Sequence, residues 1–167
     1  MSGAGKFMIF LAWIGAAALL SWWFAQELQQ QRNPNQVVET SRSEQDIEVA
    51  LTRNRMGHYV ATGRINGRGV EFFLDTGATH VALSESLASE LGLKRGASMF
   101  TQTANGTIVT YQTVLDSVEI GGIEIRDVTA SINPNISAGD VLLGMSFLKH
   151  LEIVQRGDRL LLRQQGL

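Results

Sequence analysis

The residues Val70–Ser84, "VEFFLDTGATHVALS", are the most informative part of the sequence, because they carry a carboxylate out of an apolar run and then turn at once. Asp75 follows Phe72-Phe73-Leu74 and precedes Thr76-Gly77. Glycine suits a tight turn, and the Thr76 hydroxyl and the N–H groups of the turn can hydrogen-bond to fix the loop and the carboxylate. Because acid–base catalysis needs a carboxylate held in one position, Asp75 is a candidate catalytic residue. The same tripeptide is typical of ordinary turns, and that alternative stays open on these residues alone.

The segments around this stretch alternate between apolar and polar residues with period two, which is typical of β-strands. Three pairs of such segments flank a two-residue turn, at Asn66-Gly67, Asn105-Gly106 and Gly121-Gly122. Such turns between alternating segments predict β-hairpins. The residues therefore predict an antiparallel all-β domain, a sandwich or a small barrel.

Two short helices are predicted within this β-domain. Ser84 can cap a helix over "ESLASELG", which ends at Gly92. The segment "VLLGMSFLKHL" runs from apolar residues through Gly144 into a second helical segment, a faint echo of "FFLDTGA". We assign residues 47–167 to this single domain, which is long enough to bury a core.

The N-terminus carries a candidate transmembrane segment. Residues 7–24, "FMIFLAWIGAAALLSWWF", are uncharged and as a helix would span about 27 Å, close to the ~30 Å hydrocarbon core of a bilayer. Trp22 and Trp23 lie at one end, where interfacial aromatic residues are expected. A cleaved signal peptide is the alternative; an uncleaved anchor is favoured because the apolar run continues past the small residues Ala16 and Ala18.

The rest of the N-terminal region is polar. We assign residues 1–6 to an N-terminal flank and residues 25–46 to a polar linker, whose flexible form would reach about 25 Å. A helical stalk that continues the anchor is the alternative. Basic residues on the two sides of the anchor nearly balance, so charge does not decide its orientation (Lys6 against Arg32 and Arg42).

Composition excludes several classes of function. The net charge of −2 over 167 residues does not favour nucleic acid as a partner. The chain has no cysteine, which excludes disulfides, thiol catalysis and cysteine-bound metals. His58 and His150 are far apart and have no metal-ligand spacing, so we predict no metal and no cofactor.

Four segments in this order resemble the retropepsin-like aspartic proteases, and most closely their bacterial, membrane-anchored, single-lobe branch. They are "FFLDTGAT" (72–79), "TANG" (103–106), "LDSVEIGGIEIRDV" (115–128) and "LLGMSFLKHLE" (142–152). The resemblance covers nearly the whole folded domain. It implies a single-lobe retropepsin-like β-barrel or sandwich that hydrolyses peptide bonds.

The resemblance also implies roles for particular residues. Asp75 would be the catalytic aspartate, and Thr76 would bond to its counterpart across a two-fold axis. A flap would close over an extended peptide, and an apolar segment would pack beneath the active-site loop. The implied sets are the loop residues Thr76, Gly77, Ala78 and Thr79; the flap residues Thr103, Ala104, Asn105, Gly106 and Thr107; and the supporting residues Leu142, Leu143 and Gly144.

Aspartic proteases use two carboxylates that share one proton, one as general base on a water and one as proton donor to the scissile carbonyl. No other aspartate of this chain precedes Thr-Gly or Ser-Gly. One chain therefore supplies half of a site, and the second Asp75 must come from a second copy across a two-fold axis. We predict a homodimeric aspartic endopeptidase whose anchors raise the effective concentration of the chains.

The location follows from the anchor and the resemblance together. We expect a single-pass protein of the bacterial inner membrane with its catalytic domain in the periplasm. Its partners would be the lipid bilayer, a second copy, and protein or peptide substrates near the membrane.

Two other functions are alternatives to an aspartic protease. A phosphoryl-transfer enzyme with an aspartyl nucleophile is disfavoured because Gly77 stands where such enzymes carry a second acid and because the strands read as antiparallel. A catalytically silent binding or regulatory module on the same fold retains every motif residue, so the sequence does not separate it from an active protease.

Several residues near these motifs are predicted to have no direct part in catalysis. We expect His80 to be an exposed loop residue, Tyr111 to pack for stability and Asp140 to be a loop carboxylate. Met145 stands where retroviral proteases carry a basic residue that braces the dimer, so the resemblance leaves the dimer interface open. The C-terminal segment "DRLLLRQQGL" is either an interface strand or an intramolecular edge strand.

Overall fold

The structure is a computed structural model that describes residues 3–43, 45–103, 106–137 and 139–165. Its described part is mostly β, with one long N-terminal helix and two short helices. The elements in chain order are α1 (Gly3–Arg32), β1 (Glu39–Arg42), β2 (Asp46–Thr52), β3 (Val60–Ile65), β4 (Arg68–Leu74), β5 (Val81–Leu83), α2 (Glu85–Glu90), β6 (Ser98–Thr103), β7 (Gly106–Ile120), β8 (Ile123–Ile132), β9 (Asp140–Leu143), α3 (Met145–Leu148), β10 (Glu152–Arg156) and β11 (Arg159–Gln165).

The strands form two sheets around one core. Seven strands pair in the order β3-β4-β9-β5-β8-β7-β6, and an added pairing of β3 with β7 closes part of this sheet into a ring. The other sheet has the order β1-β2-β11-β10. Apolar side chains from both sheets and from α3 fill the core, among them Leu51, Phe72, Leu115, Phe147 and Leu162. This confirms the predicted all-β, single-lobe fold with two short helices.

The predicted hairpins form where the turn residues indicated. Asn66 and Gly67 adopt φ angles of 50° and 78° between β3 and β4, the positive values that a tight two-residue hairpin turn requires. Gly121 and Gly122, with φ angles of 55° and 87°, do the same between β7 and β8. In the third hairpin β6 pairs with β7, but Ala104 and Asn105 lie outside the described residues.

The two short helices also begin where predicted. The Ser84 hydroxyl accepts a hydrogen bond from the N–H of Leu87 and caps α2, and Gly92 follows the helix with φ +67°. Helix α3 begins directly after Gly144 and buries Phe147 and Leu148. Local sequence chemistry therefore accounts for both.

Not all strand pairings are antiparallel, which corrects part of the prediction. Strand β9 lies between β4 and β5, and it is parallel to β4 and antiparallel to β5. Strand β5 is parallel to β8. These pairings join segments distant in the chain, so no turn motif specifies them.

The N-terminal region differs from the predicted flexible linker. Helix α1 continues to Arg32, and Asn33 and Asn35 are buried against the β-domain. Residues Glu39–Arg42 then form β1, which pairs with β2. The glutamine-rich segment 25–32 favours helix. Gln29, Gln31 and Arg32 hydrogen-bond to the domain. The described part of α1 is long and apolar enough to cross a membrane.

The C-terminal segment is an interior strand of the second sheet. Strand β11 pairs with β10 on one side and with β2 on the other, so it is neither an edge strand nor free for a partner. Arg163 of β11 donates to Glu48 of β2 and to Glu152 of β10. The hydrogen bond to Glu48 raises the pKa of the Arg163 guanidinium above its usual value, and the negative charges of Glu152 and Glu48 raise it further.

Candidate active site

The turn after β4 holds the Asp75 carboxylate in one position. The N–H of Asp75 donates to the carbonyl oxygen of Leu143 at 3.2 Å, and the N–H of Ala78 donates to the carbonyl oxygen of Asp75 at 3.2 Å. The N–H of Gly77 donates to Asp75 Oδ1 at 2.9 Å. Asp75 is half-buried, whereas Thr76 and Gly77 are exposed. One backbone donor, the N–H of Gly77, therefore holds the carboxylate, main-chain hydrogen bonds fix the turn that carries it, and the turn remains accessible.

The segment after β9 lies directly beneath this turn. A Cβ atom on Gly144 would be 2.3 Å from the carbonyl oxygen of His80, so only glycine fits there. The N–H groups of Met145 and Ser146 donate to the carbonyl oxygens of Ala78 and Thr79 at 2.8 and 2.9 Å. The start of α3 thus holds the loop from below.

Ser146 is a loop-supporting residue that the sequence analysis missed. Its hydroxyl oxygen accepts a hydrogen bond of 2.9 Å from the N–H of Val81, the first residue of β5. The signal was present as a serine two residues after the glycine of the "LLGMS" segment. Leu143 is buried and Leu142 is half-buried beside the same turn.

The described flap residues lie at the tip of the β6–β7 hairpin. The Thr103 hydroxyl donates to the carbonyl oxygen of Gly106 at 2.8 Å, and the Thr107 hydroxyl donates to Gln102 at 2.8 Å. No hydrogen bond between described residues joins Gly106 or Thr107 to the turn at residues 75–79. Their role as a flap stays a prediction.

The structure places His80, Tyr111 and Asp140 in three different environments. His80 is half-buried rather than exposed, because its backbone is packed on Gly144, and its Nδ1 is buried without a hydrogen-bond partner in the described part of the chain. Tyr111 is half-buried, with its ring 5.0 Å from the guanidinium of Arg95. Asp140 belongs to β9 rather than to a loop and accepts from Arg32 at 2.7 Å.

A small groove lies beside Thr76. Its volume is about 210 Å³, and it opens between the active-site turn and the second sheet. Its lining is mostly apolar and consists of Tyr59, Leu74, Thr76, Leu148, Ile153, Gln155 and Leu160. A larger cavity of about 680 Å³ lies behind residues 91–97 and includes no residue of the turn. In the described part of the chain, no cluster of three metal-ligating side chains occurs.

One carboxylate on a hydrogen-bonded Asp-Thr-Gly turn, in a one-lobe β fold, defines the class of retropepsin-like aspartic proteases. The sequence model described as "gag-polyprotein putative aspartyl protease" matches residues 61–150. The chain belongs to this retropepsin-like aspartic protease family.

A solved structure agrees with this assignment, and two uncharacterized proteins are similar to most of the chain. The crystal structure of a retropepsin-like aspartic protease from Rickettsia conorii has a TM-score of 0.61 at 26% identity, covering 76% of this chain and 99% of that chain. An uncharacterized Sinorhizobium protein is 34% identical over 134 residues, which are 78% of this chain and 58% of the relative. An uncharacterized Rickettsia prowazekii protein is 32% identical over 111 residues, 63% of this chain and 46% of the relative. The chain thus spans about half the length of these two relatives.

Proposed function

We propose that this protein is a membrane-anchored aspartic endopeptidase that is active as a homodimer. Two Asp75 carboxylates, one from each copy, would share a proton and hold a water between them. The ionised carboxylate takes a proton from the water, whose oxygen attacks the scissile carbonyl carbon, while the protonated carboxyl donates to the carbonyl oxygen. The carboxyl that took the proton from the water then gives it to the leaving nitrogen as the C–N bond breaks, and the hydroxyl formed on the carbonyl oxygen returns its proton to the other carboxylate.

The observation that carries this proposal is a single fixed carboxylate on an accessible turn. Asp75 accepts the Gly77 N–H at 2.9 Å, which supports a carboxylate held in one position. None of the other aspartates precedes Thr-Gly or Ser-Gly, so the chain offers only one such turn. A dyad therefore requires a second copy, and a two-fold axis through the turn would bring the pair together.

The surroundings of Thr76 support a partner at this face. Its side chain is exposed and makes no hydrogen bond within the described residues, which leaves its hydroxyl available to a second copy. The apolar groove of about 210 Å³ beside it offers a place for side chains of that copy. Burial of such apolar surface would contribute to association.

The location of the enzyme belongs to the same proposal. Helix α1 would cross the bacterial inner membrane once and hold the catalytic domain in the periplasm. Two chains confined to one membrane meet at a raised effective concentration, which favours the dimer. Substrates would be proteins or peptides close to the bilayer.

The test uses the full-length chain in detergent micelles with a library of quenched fluorescent peptides at mildly acidic pH. Asp75→Asn should lower cleavage by at least about 10²–10⁴-fold, because it removes the acid–base group, while the circular dichroism spectrum is retained. Asp116→Asn changes an exposed carboxylate of β7 and is the matched control, expected to keep full activity.

Mixing the chains tests the shared site. Excess Asp75→Asn chain should suppress the wild-type activity, because mixed dimers carry one carboxylate. Specific activity should also fall on dilution, because a monomer has no dyad. The proposal would be wrong if the Asp75→Asn variant still cleaved the peptides. It would also be wrong if wild-type cleavage depended neither on protein concentration nor on the added variant. A silent binding module predicts no cleavage by either chain.

A further inference from the structure

The end of α1 is joined to the β-domain by an asparagine that is 5% exposed. The side-chain oxygen of Asn35 accepts from the N–H of Thr52 at 2.7 Å, and its nitrogen donates to the carbonyl oxygens of Thr52 and Val60 at 2.9 and 2.7 Å. The carbonyl oxygen of Asn35 accepts from the N–H of Thr62 at 3.1 Å. A buried amide with all these partners has one position, because any displacement leaves buried polar groups unpaired.

A second buried asparagine connects this residue to the helix. Asn33 is fully buried, and its N–H donates to the carbonyl oxygen of Gln29 at 2.8 Å, which continues the hydrogen bonding of α1. Its side-chain nitrogen donates to Thr62 and to Glu71 at 3.1 and 3.0 Å, and its oxygen accepts from the N–H of Asn35 at 3.0 Å. No freely rotating residue therefore separates helix from domain.

The last turn of α1 is held by charge as well. The Arg32 guanidinium donates to Asp140 at 2.7 Å, lies 3.7 Å from Glu71, and stands 5.6 Å from the centre of the Phe73 ring. Glu71 and Asp140 are paired in the parallel register of β4 and β9, so one cation serves two neighbouring carboxylates. The carbonyl oxygen of Arg32 also accepts from the buried Asn54 side chain at 2.9 Å.

Arg32, Asn33 and Asn35 form a joint between α1 and the β-domain, and this joint lies close to the active-site turn. Arg32 contacts Glu71 and Phe73 of β4, and Asp75 follows two residues after Phe73, about 7 Å further along the chain. From Phe24, at the end of the apolar segment, to Arg32 the helix rises about 12 Å. A rigid helix and joint would place Asp75 at one height above the bilayer, whereas a flexible linker would allow a range.

We propose that the joint formed by Arg32, Asn33 and Asn35 acts as a ruler, so that the enzyme selects peptide bonds in juxtamembrane segments of other membrane-anchored proteins at a fixed short distance from the bilayer. This inference rests on the proposed function and names the substrate class of the same site. Arg32 and the two asparagines are positioning residues, since they would act through the place of Asp75 and do not belong to the active-site turn.

The rigidity of the joint can be measured without activity. The chain contains no cysteine, so Gln26→Cys and Arg126→Cys would carry the only two spin labels, one on α1 and one on the exposed surface of β8. In bilayers, with the labelled chain diluted in an excess of unlabelled wild-type chain so that a dimer carries one labelled copy, pulsed electron resonance should give one narrow distance distribution between the two labels. Replacing Asn33-Pro34-Asn35 by Gly-Ser-Gly should broaden it several-fold. A wild-type distribution as broad as that of the Gly-Ser-Gly variant would overturn the ruler.

The substrate class is tested with the full chain in vesicles that also contain single-pass peptides carrying one cleavable sequence at stepped distances from their anchor. Wild type should cleave within a narrow window of distances. Seven alanines inserted after Ala25 lengthen the helix by about 10 Å and turn it by only about 20°. The preferred position should move outward by about three residues of extended substrate.

The controls separate this inference from the proposed function. Cleavage of a free soluble peptide in detergent should be unchanged by the seven-alanine insertion, which leaves the joint intact. If the insertion left the range of cleaved distances unchanged, or if all distances were cleaved equally, the proposed selection by distance would be wrong. Cleavage of the free peptide would still support the endopeptidase. Absence of free-peptide cleavage by wild type would overturn the proposed function and the substrate class together, and the distance measurement still decides whether the joint is rigid.

Discussion

Gly144 approaches His80 so closely that a Cβ atom at position 144 would lie 2.3 Å from the carbonyl oxygen of His80 and 2.6 Å from that of Ala78. Both neighbours are backbone atoms of the loop that begins at Asp75. The contact therefore links the start of α3 to the position of the carboxylate through main chain, without a flexible side chain between them.

Gly144→Ala should destabilise the domain and displace the active-site loop. We expect a loss of about 1–3 kcal/mol in the free energy of unfolding, as for overpacking of a tight contact, together with lower peptide cleavage. Chemical denaturation followed by circular dichroism measures the first effect. Gly69→Ala is the matched control, because a Cβ there meets no atom within 4 Å. Equal stability of the two variants would contradict the contact.

Ser146→Ala tests the hydroxyl that supports the far end of the same loop. The variant leaves the N–H of Val81 without its 2.9 Å acceptor, so we expect a loss of about 1–3 kcal/mol in unfolding free energy. Ser98→Ala, an exposed position at the start of β6, should change stability by less than about 0.5 kcal/mol. Ser146→Thr keeps the hydroxyl and should recover part of the loss. A Ser146→Ala variant as stable as the Ser98→Ala control would show that the bond contributes nothing.

Local chemistry made much of the fold predictable. Asn66-Gly67 and Gly121-Gly122 determine their own backbone angles, and Ser84 caps its own helix, so short stretches of sequence suffice for these elements. The order of motifs around Asp75 predicted the family, which the sequence match and the structural match confirm. The catalytic role of Asp75 stays a prediction.

Long-range packing was not predictable from the same signals. The insertion of β9 between β4 and β5 depends on contacts between segments far apart in the chain. Asn33 and Asn35 belong to a polar stretch, and polar composition indicates solvent exposure rather than burial. Their burial depends on partners such as Thr52, Val60 and Glu71, which only the folded domain brings to them.

Thr76→Ala should weaken dimerisation without unfolding the chain. The exposed Thr76 hydroxyl makes no hydrogen bond within the described residues, so its removal leaves the monomer intact, while a dimer would lose a hydrogen bond at each of two symmetric positions. At about 0.5–1.5 kcal/mol for each, the concentration for half-maximal activity should rise roughly 5- to 150-fold. Thr76→Ser should stay near wild type, and Thr129→Ala, at an exposed position on β8, serves as control. An unchanged midpoint for Thr76→Ala would exclude the hydroxyl from the dimer contact.

Asn35→Ala should be among the most destabilising single changes outside the apolar core. It removes the partner of the Thr52 N–H and of the Thr52 and Val60 carbonyl oxygens, and an unpaired buried group costs about 1–3 kcal/mol. Asn35→Asp separates the two halves of the amide: it keeps the acceptor for Thr52 but faces two carbonyl oxygens with a carboxylate, so it should be at least as destabilising. Asn135→Ala, at an exposed position, should have little effect. Urea denaturation of the wild type and the three variants in detergent measures these stabilities. An Asn35→Asp variant as stable as wild type would mean that the two hydrogen bonds donated by Asn35 do not hold the joint.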